Sequence, residues 1–547
     1  MAQLNKADLE QMTDDYLQSL EPERLVTVAK NLRALAVEQL EKLEESSKTS
    51  SRPPSSDSPY QSTSKPDTET SPVADEAESR ALGPLAEGSS GEGAVDAKAE
   101  DAVPSPSTSS QDSKGFGRRP AGKQRGAEGK WRAQPLKAER TIPHYPEQCS
   151  ACNAPLGIDQ RDAKPHGGYY QFELNHQEQG FSIECQLHHY YGATCRCGHH
   201  SQAQPGQGEC SAVEGRKVQL QLQEQVLIGP MLATFIASLS VRYRLSRVKI
   251  QEFLKDWAGV ELSIGSLDRS IREAGFACRP VVEALIEELQ AAELLHLDET
   301  PWYESGRLCW LWVGLSSISV VFFIGPRTKE RLLQVISTAF VGWLVTDGYG
   351  AYRWYDHRQR CLAHLIRKAL ALSQAVDAEA RQLGQWLLEE MRELIHALAT
   401  AGHDDPDDPG TRRLQQVALL ATASEHPKLK ALANEILNDW QAVVAFVSHP
   451  HLPVTNNEAE RALRHAVIAR YITHGTRSAE GSDAYAALLT VIETCRRRDL
   501  SPWPYLADVI ALRRKGLSVP PVPMPLPQAV GSGGDIERQL TWPVDDN

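Results

Sequence analysis

"GWLVTDGYGAY", Gly342 to Tyr352, is an apolar run that stops on Asp347 and is followed at once by glycine. An earlier stretch does nearly the same: "ELLHLDETPW", Glu293 to Trp302, drives an apolar run into Asp298. Two strand-like segments thus each deliver a carboxylate at or near their ends, and the fold has to account for both.

The segments between and after them supply the order. "CWLWVGLSS" and "SVVFFIG" are rich in aromatic and β-branched residues and read as a hairpin. "TKERLLQVISTAF" reads as a helix capped by Thr328, "AYRWY" as a short helix, and "RQRCLAHL" as a fifth strand or the start of a helix. The order β-β-β-α-β-α-β is the layout of an RNase H-like fold, in which the first and fourth strands are neighbours at the sheet centre. Asp298 and Asp347 are then expected side by side. Carboxylates forced together repel, and a divalent cation is the usual resolution.

Such a site wants a third carboxylate from a later helix. "VTNNEAERALRHAVIARY", Val454 to Tyr471, offers Glu458 and Glu460, with Asn456 or Asn457 as the helix cap and Arg464 one turn beyond Glu460. Residues 362–448 read as a helical insertion before it. Three carboxylates can hold two Mg²⁺ ions about 3.5–4 Å apart, one to activate a water or a 3′-hydroxyl and one to stabilise the leaving oxygen of a phosphodiester.

Outward from this core, the 547 residues predict about three or four units. Residues 1–46 read as helical, with Leu25, Val28, Leu32 and Leu35 at coiled-coil spacing that suits self-association. Residues 47–113 are rich in Ser, Pro, Glu, Asp and Ala; they read as a disordered acidic linker, too poor in large apolar residues to offset chain entropy. The net charge of −13 argues against a nucleic-acid partner until its distribution is seen. Residues 1–113 carry 22 acidic and 10 basic side chains, whereas 114–140 carry 9 basic and 2 acidic. That basic segment, assigned to 114–142 and including Arg118, Arg119, Lys123 and Arg125, can contact phosphates whatever the whole-chain sum.

Six of the ten cysteines lie between Cys149 and Cys210. With no signal-peptide pattern at the start, such clustering points to metal rather than disulfides. Cys149 and Cys152, then Cys195 and Cys197, flank the alternating stretches "YYQFEL" and "FSIECQLHHYY". They predict a small β-rich module over 143–203 with four thiolates for tetrahedral Zn²⁺. Cys185, His188, His189, His199 and His200 are substitute ligands, because the second pair is C-x-C. Residues 225–277 read as helical, with a possible helix-turn-helix that would turn Arg269 and Arg272 toward DNA. The longest apolar stretch, Trp310 to Gly325, is broken by serines and falls short of the roughly 20 residues of a membrane helix. The expectation is a cytoplasmic protein with no membrane contact.

Taken together, "HLDET", "TDGYGAY" and "NNEAERALR" resemble the DDE transposases of the insertion sequence 66 family. "SSRPPSSD" (Ser50–Asp57) is similar to an N-terminal element of that family, "RRPAGKQRGAEG" to a degraded form of its glycine-rich basic motif, and "CSACN…CRCGHH" to its zinc-binding module. "GTRSAEGSDAYAALLTVIETCRRRDLSPWPYLADVI" is similar to its C-terminal segment. The resemblance is collinear over nearly the whole chain. It implies a catalytic core over 290–475, a C-terminal helical segment over 476–515 and a tail over 516–547. It also implies Asp298, Asp347 and Glu460 as catalytic Mg²⁺ (or Mn²⁺) ligands, Glu460 being the glutamate directly before an arginine, and Glu299 as a supporting residue. Arg461 and Arg464 join the expected DNA contacts. Cys361 and His364, a C-x-x-H element, are read as structural or DNA-facing rather than as a second zinc site. The implied partners are DNA (element ends and target), further copies of the chain and accessory proteins of the same element, in the cytoplasm and nucleoid of a bacterium. A catalytically inactive DNA-binding regulator and a metal-dependent nuclease without strand transfer are the rival expectations.

Overall fold

A computed structural model describes residues 21–44, 136–176, 180–211, 220–401 and 409–524. The chain divides into two units, Met1–Ser58 with Leu136–Asn547, and Pro59–Pro135; the second lies wholly outside the described residues. So do residues 1–20, the linker 47–113, the element Ser50–Asp57, the side chains Arg118, Arg119, Lys123 and Arg125, and the tail from 525.

Helix α1 (Pro22–Glu44) starts on a proline, which is tolerated in a first turn because the missing N–H would be unpaired there anyway. Leu25 and Val26 stand exposed on it. The next elements are β1 (Arg140–His144), β2 (Gly167–His176) and β3 (Phe181–Tyr190), in a sheet of order β1-β3-β2. The β2–β3 hairpin pairs Phe172 with Cys185, both buried, as period-2 alternation requires. Two small ribbons follow, β4 (Gly192–Thr194) with β5 (His200–Gln202) and β6 (Gln207–Cys210) with β7 (Gln221–Gln223).

Four helices come next: α2 (Pro230–Val241), α3 (Arg247–Ala258), α4 (Ile264–Ala277) and α5 (Arg279–Gln290). The α3–α4 pair forms as expected. Ser246 caps α3, Gly259 ends it in the left-handed region at φ 65°, and Ser263 accepts the Ser266 N–H to start α4.

The central sheet contains β8 (Leu294–Glu304), β9 (Arg307–Leu315), β10 (Val320–Gly325), β11 (Trp343–Thr346) and β12 (Arg358–Arg360) in the order β10-β9-β8-β11-β12. The first three are antiparallel; β11 runs parallel to both β8 and β12. The first and fourth strands of the sheet are therefore neighbours. β8 is longer than its apolar run suggests, so Asp298 lies mid-strand rather than at an end. Helix α6 (Lys329–Leu333) is much shorter than "TKERLLQVISTAF". Thr328 caps it as expected, but the following Val335 and Ile336 are β-branched and, with Phe340, are buried as irregular chain. "RQRCLAHL" proves to be both alternatives, strand β12 followed by helix α7 (Leu362–Ser373).

Helices α7, α8 (Ala378–Ala401), α9 (Pro409–Thr422) and α10 (Pro427–Asn438) pack around a second core that includes Leu365, Leu387, Met391, Leu414 and Ile436. The chain then returns through α11 (Asn457–Thr473), α12 (Ala479–Arg497) and α13 (Pro502–Arg514). Helix α12 covers the sheet edge. Its Thr490 and Thr494 hydroxyls accept the backbone N–H of Phe322 and Val320, at 2.9 and 3.1 Å, so two donors of the edge strand β10 are satisfied by the helix. At its other face Gly275 of α4 meets α12 so closely that a Cβ would lie 2.4 Å from the Ala484 Cα. One apolar core thus runs from Phe172 and Ile236 through the sheet to Leu489 and Val509.

Candidate functional site

Register places the two aspartates. Val345 of β11 pairs with His296 of β8, so Asp347 and Asp298, each two residues further along parallel neighbours, are level and point to one face. The Asp298 carboxylate accepts the Glu299 backbone N–H at 2.9 Å, and that of Asp347 accepts the Tyr349 N–H at 2.8 Å. Glu460 arrives from the first turn of α11. All three are partly exposed, packed yet reachable from solvent. Burial, then the neighbouring charges of Glu299, Asp347 and Glu460, push the Asp298 carboxyl well above the usual carboxylate range. Asp347 and Glu460 thus lie within electrostatic reach of Asp298, a repulsion of the kind that a bound divalent cation would relieve.

Glu299 faces the other way and is held from two sides. Arg327 donates to its Oε1 through Nε at 2.9 Å and Nη2 at 2.6 Å, while the Tyr352 hydroxyl donates to Oε2. Burial and Asp347 nevertheless raise Glu299 to about 7. Arg327 lies over the rings of Trp310 and Tyr349, 4.2 and 3.8 Å from their centroids, so it ties β9 and the loop after Asp347 to β8. Neither Arg327 nor Tyr352 stands out in the sequence; Tyr352 falls in "AYRWY", expected as a short helix, where the chain makes a single helical turn over Gly350–Tyr352.

Asn456 starts α11, but its side chain makes no cap bond. It reaches instead to β8, where Nδ2 donates to the Leu297 carbonyl at 2.7 Å and Oδ1 lies 3.0 Å from His296 Nδ1. On the opposite strand edge the buried Arg360 of β12 packs directly against Gly348; a Cβ there would sit 1.9 Å from its Nη1. Arg360 pairs with Glu435 and Arg358 with Asp439, joining the edge strand to the helical insertion.

Cys361 and His364 open α7 beneath Glu460. The three ligand atoms lie within 4.8 Å of one another, with His364 Nε2 3.7 Å from Glu460 Oε1. Arg367 approaches Oε2 of the same glutamate at 3.5 Å. Burial raises the Cys361 thiol to about 11 and, with Arg367, Arg360 and Lys368 nearby, lowers His364 to about 3, so the imidazole is neutral. The C-x-x-H element is visible in the sequence; its partner Glu460 comes from a distant helix.

The four cysteines converge. Cys149, Cys152, Cys195 and Cys197 place their sulfurs within 4.8 Å of one another, with Cys149–Cys197 at 3.7 Å and Cys152–Cys195 at 3.6 Å. Tetrahedral Zn–S bonds of about 2.3 Å put sulfurs roughly 3.8 Å apart, so the set fits that ion. None of the substitute ligands enters it. His199 contacts Ser150, His200 pairs with Asp162, His188 stacks on Tyr169, and Cys185 is buried in the main core. His189 stacks edge-on against Tyr191.

Of the described basic candidates, Arg269 and Arg464 are exposed. Arg461 is exposed and paired with Glu458 at 2.9 Å, and Arg272 is paired with Asp268 at 2.9 Å on the same helix. Much of α4 is buried by α2 and α12, which leaves a narrow surface around Arg269. Among the described residues no helix is long and apolar enough to cross a membrane.

Residues 225–484 match the family described as "Transposase IS66 family". The chain is also similar to two uncharacterized proteins of Sinorhizobium fredii (strain NBRC 101917 / NGR234). It is 24% identical to y4hP over 55% of this chain and 62% of that protein, and 22% identical to y4jD over 55% and 66%. The matched segment thus spans less than two thirds of either relative.

Proposed function

We propose, from the premise that residues 225–484 belong to the IS66 transposase family, that the chain is a DDE transposase. It cleaves phosphodiester bonds at the ends of a bacterial insertion sequence and transfers the freed 3′-hydroxyls into target DNA. The observation that supports this reading is that Asp347, at the end of β11, and Glu460, on α11, lie within electrostatic reach of Asp298 on β8; burial and these neighbouring charges push its carboxyl well above the usual carboxylate range. The strand order 3-2-1-4-5 supports an RNase H-like core.

In this reading Asp298 and Asp347 are the central metal ligands, and Glu460 closes the set from the side. When bound, two Mg²⁺ (or Mn²⁺) ions supply an activated hydroxyl and a stabilised leaving oxygen. Each step is an in-line displacement at phosphorus: water releases a 3′-hydroxyl, and that hydroxyl then displaces the 3′-oxygen of a target phosphodiester. Glu299, clamped by Arg327 and Tyr352, fixes the backbone on which Asp298 sits. The cysteine cluster holds a structural Zn²⁺. Arg269, Arg272, Arg461 and Arg464, with Arg118, Arg119, Lys123 and Arg125, contact DNA phosphates. Helix α1, on which Leu25 and Val26 stand exposed, serves assembly into a multimer, and accessory proteins of the same element take part.

The test uses purified protein, Mg²⁺ and labelled DNA carrying the sequence that flanks its own gene, with Asp347→Asn beside the wild type. Nicking at the element ends followed by joining, both lost in the variant, is expected. Nicking without joining would favour a nuclease, end binding without cutting a regulator, and equal cutting by both proteins would remove Asp347 from the site.

A further inference from the structure

The segment Cys361–Leu362–Ala363–His364 repeats the local geometry of Cys149–Ser150–Ala151–Cys152. In each, the backbone N–H groups two and three residues ahead donate to the first sulfur. That arrangement stabilises a thiolate and aims the fourth residue of the turn at the same point. Cys361 Sγ gains a further donor, the Asn456 N–H at 3.1 Å. The remaining atoms of the cluster are polar and unserved. Glu460 Oε1 and His364 Nδ1 are buried and have no hydrogen-bond partner among the described residues. The nearby cations do not fill the gap, because Arg360 and Lys368 are engaged by Glu435, and Arg367 approaches the other oxygen of Glu460.

We propose that Cys361, His364 and Glu460 form a second Zn²⁺ site, with three protein ligands and an open fourth position. One thiolate and one carboxylate offset the ion's two charges, and a sulfur–imidazole–carboxylate set selects a borderline-soft ion over Mg²⁺. Ligand atoms within 4.8 Å must draw together to about 3.2–3.6 Å around such an ion, which small side-chain rotations achieve. A consequence follows that rests on Glu460 being the third catalytic carboxylate. Zn²⁺ held here takes Glu460 from Asp298 and Asp347, so zinc inhibits Mg²⁺-dependent cleavage.

Full-length protein stripped of metal and titrated with Co²⁺, then Zn²⁺, tests the site without reference to activity. Thiolate-to-cobalt absorption reports only cysteine-bound ion. The wild type is expected to take two thiolate-bound equivalents, Cys361→Ser only one, and Cys309→Ser two. His364→Ala is expected to weaken the second equivalent at least tenfold while leaving the first and the circular dichroism unchanged. A single equivalent in the wild type, or two in Cys361→Ser, overturns the proposal. Cleavage is then measured in Mg²⁺ with added Zn²⁺. Inhibition of the wild type that is lost in Cys361→Ser supports the shared glutamate. Two bound equivalents without inhibition overturn the sharing and leave the site standing. A wild type that binds two ions and never cuts, with or without Zn²⁺, counts against the transposase reading while the site still stands.

Discussion

The Asn456 side chain donates to the carbonyl of Leu297, the residue immediately before Asp298, at 2.7 Å. Glu460 stands one turn further along the same helix, so this bond joins the helix that presents the glutamate to the strand that presents the aspartate.

Asn456→Ala leaves that carbonyl and His296 without their partner in a buried setting. A loss of about 1–3 kcal/mol in unfolding free energy is expected, and cleavage should fall by more than the stability loss explains. Urea denaturation beside cleavage at a temperature where both proteins are folded checks it. Unchanged stability would show the bond to be dispensable.

Asp298 gives a metal-linked pH dependence. Its folded carboxyl is raised, so its contribution to stability is full below the unfolded value of about 3.9 and is lost as pH rises through the folded value. Asp298→Asn removes the repulsion. The metal-free variant should melt a few degrees higher than wild type near pH 8, and the stabilisation of the wild type by millimolar Mg²⁺ should disappear. Melting curves with and without Mg²⁺ decide; an equal Mg²⁺ response in both proteins would remove Asp298 from the metal site.

Arg327→Ala strips Glu299 of its cation. Breaking a buried pair costs about 3–5 kcal/mol, and the low end applies because the Arg327 side chain is 31% exposed while that of Glu299 is 0%. Glu299 already sits at about 7 and should titrate higher still in the variant. The stability loss should therefore be larger at pH 8 than at pH 5. A pH-independent loss would mean that Arg327 acts through its ring contacts alone.

Gly348→Ala drives a methyl group into the Arg360 guanidinium, which its pairing with Glu435 and contact with Asp439 keep from moving aside. Overpacking of this kind costs about 1–3 kcal/mol. Because the strain falls on the residue after Asp347, metal affinity should weaken as well. Mg²⁺-dependent melting separates the two effects, and wild-type behaviour in both would contradict the close approach.

Cys152→Ser opens the four-sulfur cluster. One zinc equivalent should be lost, and the module around 140–211 should become the first point of protease cleavage. Zinc content with peptide mapping checks this; retention of that zinc would point to another ligand.

How much of this was legible beforehand varies with the physics involved. Strand periodicity identified the β-elements, although β8 runs on past Asp298, and parallel neighbours deliver equivalent positions to one face, so the adjacency of Asp298 and Asp347 followed from strand order. Cysteine spacing identified the four-sulfur set, because two close pairs on short turns have few ways to meet. Helix lengths were less secure: "TKERLLQVISTAF" carries a good cap, yet burial of Val335, Ile336 and Phe340 outweighed local propensity. The reach of Asn456 to Leu297, the Arg327 clamp on Glu299, the seat of Arg360 against Gly348, and Glu460 beside Cys361 and His364 were decided only by tertiary structure. Each is a contact between segments far apart in the chain, and side-chain type and local spacing carry no information about which distant surface will arrive. The sequence by itself determined which groups the chain has to place; the packing of α11 and the helical insertion against the sheet decided which of them meet.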